Sequence, residues 1–155
     1  MSGLKLGDAI PAVKLLDADG ATIDIAAMTS APLVVYFYPK ADTPGCTVEA
    51  QDFTRLAPEF VHLNAQVLAV SRDAPAKLCK FRDKYGLTVR LASDEDGAVC
   101  EAFGTWVEKQ NYGRTYMGIE RSTFLFDADG KLVKEWRKVR VKGHAEAVLE
   151  AAKGL

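Results

Sequence analysis

Apolar residues follow two rhythms along this chain. "LVVYFY" (residues 33–38) and "QVLAVS" (residues 66–71) are short runs rich in β-branched and aromatic side chains, the mark of buried strands. Between them Phe53, Leu56, Ala57 and Phe60 recur at i, i+3, i+4, i+7, one face of a helix that starts after the Pro44-Gly45 turn. Pro58 falls inside that pattern and predicts a kink or a restart. Residues 75–85 predict a second helix with Leu78, Phe81 and Tyr85 inward and Gly86 as its stop.

"VRLAS" then reads as a brief strand and "DGAVCEAFG" as a short helix. The polar, glycine-punctuated stretch from Thr105 to Gly118 reads as a loop. Strands "STFLFD" and "KLVKEW" around the turn "DADG" form a hairpin, and an earlier "DADG" (Asp17–Gly20) marks another near the N-terminus. A last helix over 143–153 buries Ala145, Val148, Leu149 and Ala152. The order is hairpin, β-α-β-α, a small β-α insertion, then β-β-α. It predicts one α/β domain over residues 1–155, a central mixed sheet flanked by helices.

Charge narrows the function classes. A formal net charge of −1 gives no basic field of the kind phosphate neutralisation needs, so nucleic acid is not an expected partner. The one basic run, "KLVKEWRKVRVKG", alternates charges with Trp136, Val139 and Val141 and reads as a strand with one solvated face. No apolar run approaches the roughly 18 residues of a membrane span, and the first residues lack a signal-peptide h-region. Cys46, Cys79 and Cys100 are odd in number and widely spaced, a poor disulfide framework, so a reducing cytoplasm is the expected compartment. Without a Cys-x-x-Cys pair, and with His62 and His144 as the only histidines, no metal site is expected.

Chemistry concentrates in "YFYPKADTPGCTVEA", where Cys46 opens a helix at the carboxyl edge of a strand. Unpaired N–H groups and the positive end of the helix dipole favour a thiolate there. Thr43, three residues earlier, offers a hydroxyl that donates or accepts. Pro39, seven residues earlier, fixes the loop and has no N–H to compete for the sulfur. Taken singly, a cysteine is more often a small buried hydrophobe and a threonine at a helix start a cap. The three together in one strand-to-helix loop favour a reactive thiol.

"PKADTPGC" matches the Pro-x-x-x-Thr-x-x-Cys signature of the peroxiredoxins. Together with "LKLGDAIPAVKLLDADG", "SDEDGAVCEAFG" and "GIERSTFLFDADG" it makes nearly the whole chain resemble the bacterioferritin comigratory protein subfamily, also called PrxQ. The resemblance implies a thioredoxin-like fold and no metal or organic cofactor. Cys46 would be the peroxidatic cysteine, Pro39 and Thr43 the motif's Pro and Thr, and Arg121 in "IERSTFL" the arginine brought to the thiolate. From residues alone, Arg121 would be a solvated charge at a strand start. The implied activity is reduction of hydrogen peroxide and organic hydroperoxides through a cysteine sulfenic acid, with thioredoxin or a similar thiol donor as reductant. A monomer or weak dimer is the expected assembly.

The resolving cysteine departs from the family. Members that carry it five residues after the peroxidatic one would have it where Gln51 stands; others carry it at the position of Arg82. This chain has Cys79 one turn earlier, off the Leu78–Phe81–Tyr85 stripe and therefore expected to be accessible. Cys79 as resolver and a one-cysteine cycle with an external thiol both remain open. Cys100, beside Val99 and Phe103, reads as a packed core thiol. A disulfide oxidoreductase lacks its second cysteine, and a non-enzymatic thioredoxin-like binding module is the remaining rival.

Overall fold

The computed structural model describes residues 4–155. In chain order the elements are β1 (Lys14–Asp17), β2 (Thr22–Asp24), β3 (Leu33–Phe37), α1 (Pro44–Arg55), α2 (Ala57–His62), β4 (Gln66–Ser71), α3 (Pro75–Tyr85), β5 (Arg90–Ser93) and α4 (Ala98–Ala102). They are followed by β6 (Trp106–Asn111), β7 (Arg114–Ile119), β8 (Ser122–Phe126), β9 (Leu132–Trp136) and α5 (His144–Lys153). Seven strands form one sheet in the order β2-β1-β5-β4-β3-β8-β9. Strands β3, β4 and β5 are parallel, and the hairpins at either side add antiparallel strands, giving the mixed sheet of a thioredoxin-like fold.

All five residues of β3 are buried because helices cover both faces of the sheet, which is why the strand shows no polar alternation. Val34 and Tyr36 face α1 and α5 in one apolar cluster; Leu33, Val35 and Phe37 face the other, with Phe103, Phe124 and Phe126. Tyr36 stacks on Phe53 of α1 at 4.5 Å between ring centroids, so the helix carrying Cys46 is set directly against the central strand. Pro58 does restart the helix: α1 ends at Arg55 and α2 begins at Ala57. Gly86 closes α3 in the left-handed conformation, φ 61°, that a side chain would resist.

Two expectations fail. Thr105–Gly118 is not a loop but most of a separate two-stranded hairpin, β6 with β7. Its turn residues, Tyr112 and Gly113, both have positive φ (51° and 76°), the geometry of a two-residue hairpin turn. The strands are largely exposed, so no period-two apolar pattern marks them. The basic run is a strand only as far as Trp136. Val139 and Val141 lie in the following connection, where the Val139 N–H donates to the Arg121 carbonyl at 2.9 Å.

Candidate active site

Thr43 is the last extended residue before α1, and Pro44 fills the first turn, where a missing N–H costs nothing. The first helical bond runs from the Thr47 N–H to the Thr43 carbonyl at 2.9 Å, so the amides of Gly45 and Cys46 lie ahead of the ladder. Cys46 sits in this turn and is 2% exposed. Arg121, just before β8, donates through Nη2 to Cys46 Sγ at 3.2 Å. Gly45 lies beside this contact; a Cβ there would meet Arg121 Nη2 at 3.4 Å, an ordinary van der Waals distance.

The other nitrogen of the fork is taken. Arg121 Nη1 donates to Glu49 Oε1 at 2.5 Å, and Glu49 is 1% exposed. Burial pushes the Glu49 carboxyl up to about 7, more than Arg121 pulls it down. Burial also works against the Arg121 charge, but Glu49 and Cys46 outweigh it and raise the guanidinium further. Glu49 was missed in the sequence. The signal was there: Cys46, Glu49 and Phe53 share one helical stripe, and a carboxylate on an otherwise apolar stripe calls for a partner. Glu49 Oε2 and the Tyr36 hydroxyl are buried without a partner among the described residues. Lys109 of the β6–β7 hairpin is half-buried; desolvation, then the repulsion of Arg121, lower its ammonium.

Thr43 Oγ1 donates to the Lys40 carbonyl at 2.8 Å. Its one proton is therefore committed here, which leaves its lone pairs free to accept. Pro39 is exposed at the start of the same loop. Beside Gly45 an open groove runs between Pro44, Val48, Val141 and Gly143. A different crevice, lined by Met28, Phe60, Val67 and Val89, lies at the opposite end of the parallel strands, away from the thiol.

All three cysteines are free thiols. Cys79, half-buried on α3, accepts from Arg82 Nη2 at 3.3 Å, and Arg82 is itself held by Asp19 and Asp83. Cys100 is fully buried on α4. Among the described residues no group of three or more His, Cys, Asp and Glu side chains gathers to hold a metal, and no helix is long and apolar enough to cross a membrane.

Residues 6–135 match the AhpC/TSA family model. The chain is 42% identical over 152 residues to peroxiredoxin Bcp of Bacillus subtilis (strain 168), covering 98% of this chain and 97% of that protein. It is 52% identical over 121 residues to peroxiredoxin Bcp of Xanthomonas campestris, covering 78% and 76%. Among solved structures, a Cys-to-Ser variant of Xylella fastidiosa PrxQ superposes with a TM-score of 0.93 at 39% identity, covering 99% of this chain and 98% of that one. The Xanthomonas campestris bacterioferritin comigratory protein, studied for alkyl peroxide reduction, gives a TM-score of 0.89 at 45% identity, covering 95% and 98%. A thiol held by a guanidinium at the carboxyl edge of this sheet fits that company, and the chain belongs to the AhpC/TSA family as a peroxiredoxin, an enzyme that reduces peroxides at the expense of a thiol reductant.

Proposed function

We propose that Cys46 is the peroxidatic thiol and that hydrogen peroxide and organic hydroperoxides are its substrates. The 3.2 Å bond from Arg121 Nη2 to Cys46 Sγ carries the assignment, because it sets a fixed cation where a thiolate must form and react. The thiolate attacks one peroxide oxygen in line and the O–O bond breaks. Cys46 becomes a sulfenic acid, and the departing oxygen takes a proton and leaves as water or alcohol. Negative charge spreads over sulfur and both oxygens meanwhile. Arg121 and the Gly45 and Cys46 amides donate to it, Thr43 Oγ1 accepts from the peroxide hydroxyl, and Pro39 shapes the loop that bounds the thiol.

Cys79 then condenses with the sulfenic acid, releasing water and giving a Cys46–Cys79 disulfide for thioredoxin to reduce. Its half-buried position on α3, within hydrogen-bond reach of the Arg82 guanidinium, supports this over a one-cysteine cycle. The protein works in the cytoplasm as a monomer or weak dimer. One equivalent of peroxide, blocking of free thiols and peptide mapping test the scheme. A Cys46–Cys79 cross-link is the expected product. Lasting sulfenic acid on Cys46 with Cys79 still alkylatable would leave an external thiol as the resolver.

A further inference from the structure

Lys109 approaches the thiol from outside the main sheet. Along β6, Val107 and Lys109 are half-buried while Glu108 and Gln110 are exposed, so the lysine sits on the inward face of the β6–β7 hairpin. The hairpin is rooted at its base. There the Glu120 N–H donates to the Thr105 carbonyl at 2.7 Å, and the Arg72 guanidinium lies 4.4 Å from the centre of the Trp106 ring. Gly118 gives the lysine its path: a Cβ there would stand 3.3 Å from Lys109 Cδ and 3.6 Å from Cε, so a side chain would crowd the stem. Among the described residues the ammonium makes no hydrogen bond or ion pair, and the charges that act on it are those of Arg121, Cys46 and Glu120. A half-buried cation without a partner is thus set in the field of the reacting sulfur.

Breaking the O–O bond leaves an oxygen that needs a proton, and the other groups around Cys46 have none to give. Arg121 is a guanidinium, which keeps its protons. Burial opposes its charge, yet Glu49 and Cys46 outweigh burial and hold those protons more firmly still. The Thr43 proton is committed to the Lys40 carbonyl at 2.8 Å. The Gly45 and Cys46 amides share a hydrogen but do not release it. Glu49, 1% exposed, meets the site only through Arg121 Nη1, and Tyr36 is fully buried. Lys109 remains. Desolvation and then the repulsion of Arg121 lower its ammonium, which makes it a readier acid than a free lysine.

We infer that Lys109 is the proton donor to the departing oxygen, a further catalytic residue of the reaction that Cys46 begins. The inference rests on Cys46 as the peroxidatic thiol. Cys46–S⁻, ROOH and Lys109–NH₃⁺ give Cys46–SOH, ROH and Lys109–NH₂. An S–O bond forms and the O–O bond breaks; sulfur is oxidised, the peroxide is reduced, and the ammonium proton ends on the leaving oxygen. The half-exposed amine then recovers a proton from solvent.

Lys109→Met keeps an unbranched stem over Gly118 without an acid. Lys109→Arg keeps the cation but binds its protons too tightly to release them. Stopped-flow oxidation of Cys46 is followed in both variants and wild type with hydrogen peroxide, ethyl hydroperoxide and peroxyacetic acid. The first two expel hydroxide or ethoxide, which need a proton. Peroxyacetic acid expels acetate, which at neutral pH does not. Both variants should lose about 10²-fold with hydrogen peroxide and ethyl hydroperoxide, the scale of one general acid, and under about threefold with peroxyacetic acid. An equal loss with all three peroxides would overturn the inference, because it marks a role in packing or in the field at sulfur. Wild-type rates in Lys109→Arg would overturn it too, as the charge alone would then suffice. So would wild-type rates in Lys109→Met, since the leaving oxygen would then be protonated without the lysine. Peptide mapping of wild type after one equivalent of each peroxide keeps the two assignments apart: Cys46 left unoxidised would remove the peroxidatic thiol and its proton donor together.

Discussion

Cys46 and Cys100 are both buried, yet their surroundings are opposite in sign. Cys46 stands in the first turn of a twelve-residue helix, against the Arg121 guanidinium. Cys100 stands on a five-residue helix whose opening amides, those of Val99 and Cys100 itself, are already capped by the Asp94 carboxylate at 3.0 and 2.7 Å. Burial and then the neighbouring Asp94 push the Cys100 thiol well above its ordinary range. Burial alone therefore does not say which cysteine reacts. The charge that burial is arranged around says it, since low dielectric strengthens an attraction and a repulsion alike.

The sharpest way to break this contrast is to remove each sulfur in turn. Cys46→Ser should abolish peroxide consumption in an assay with dithiothreitol. Cys100→Ser should keep the wild-type rate, because its thiol reaches neither solvent nor Arg121. Wild-type turnover by Cys46→Ser would end the assignment.

The next effect belongs to the cation. Arg121→Ala should slow the peroxide step by about 10²- to 10³-fold, the usual loss when one transition-state donor is removed. It also strips the buried Glu49 of its partner, so that carboxyl would take up a proton rather than stay charged. Arg121→Lys should recover only part of the rate, since one ammonium cannot serve Glu49 and the sulfur through a planar fork. Stopped-flow measurement of Cys46 oxidation separates the three proteins. Equal rates in all of them would detach Arg121 from the chemistry.

Much of this was legible in the residues, and for physical reasons. A buried parallel strand must be continuously apolar, so "LVVYFY" and "QVLAVS" announced the sheet and, with it, the edge where Cys46 emerges. The restart at Pro58 and the stop at Gly86 were legible because each residue has one strong backbone preference. The β6–β7 hairpin was not, because its strands pair only with each other and expose most of their side chains. Arg121 as a partner of Cys46, 75 residues away in the chain, depends on the pairing of β3 with β8, which no local pattern encodes. Motif resemblance supplied it instead. The commitment of the Thr43 proton to Lys40 is a matter of side-chain rotamer and leaves no trace in spacing.

Glu49 sharpens the contrast from the other side, as a carboxyl buried beside a cation. Its value of about 7 lies above the ordinary 4.5, so between those limits the folded protein holds a proton that the unfolded chain has released. Folding stability from this group is thus fully present below about pH 4.5 and declines as pH rises toward 7, by about 3 kcal/mol at ~1.4 kcal/mol per pH unit. Glu49→Gln, a neutral isostere, should flatten that decline. Urea unfolding of both proteins at pH 5, 6, 7 and 8 gives the two slopes. Parallel lines would show that the Glu49 carboxyl is already ionised across the range and that Arg121 outweighs its burial.

The smallest expected effect tests the other half of the comparison. If Cys100 is only packing, its sulfur contributes dispersion and apolar burial and nothing to catalysis. Cys100→Ala removes that one atom from a cluster containing Val99 and Phe103 and leaves the Asp94 bonds to the α4 backbone in place. The loss should be about 1 kcal/mol, at the low end for a core truncation because so little volume is deleted. The peroxide rate should not move. In the native wild type, iodoacetamide should label Cys79 first and leave Cys100 unlabelled until the protein unfolds, since Cys79 is half-buried and Cys100 fully so. Rapid native labelling of Cys100 would mean that α4 opens locally far more often than its packing implies, and the inert thiol of the comparison would have to be counted among the reactive ones.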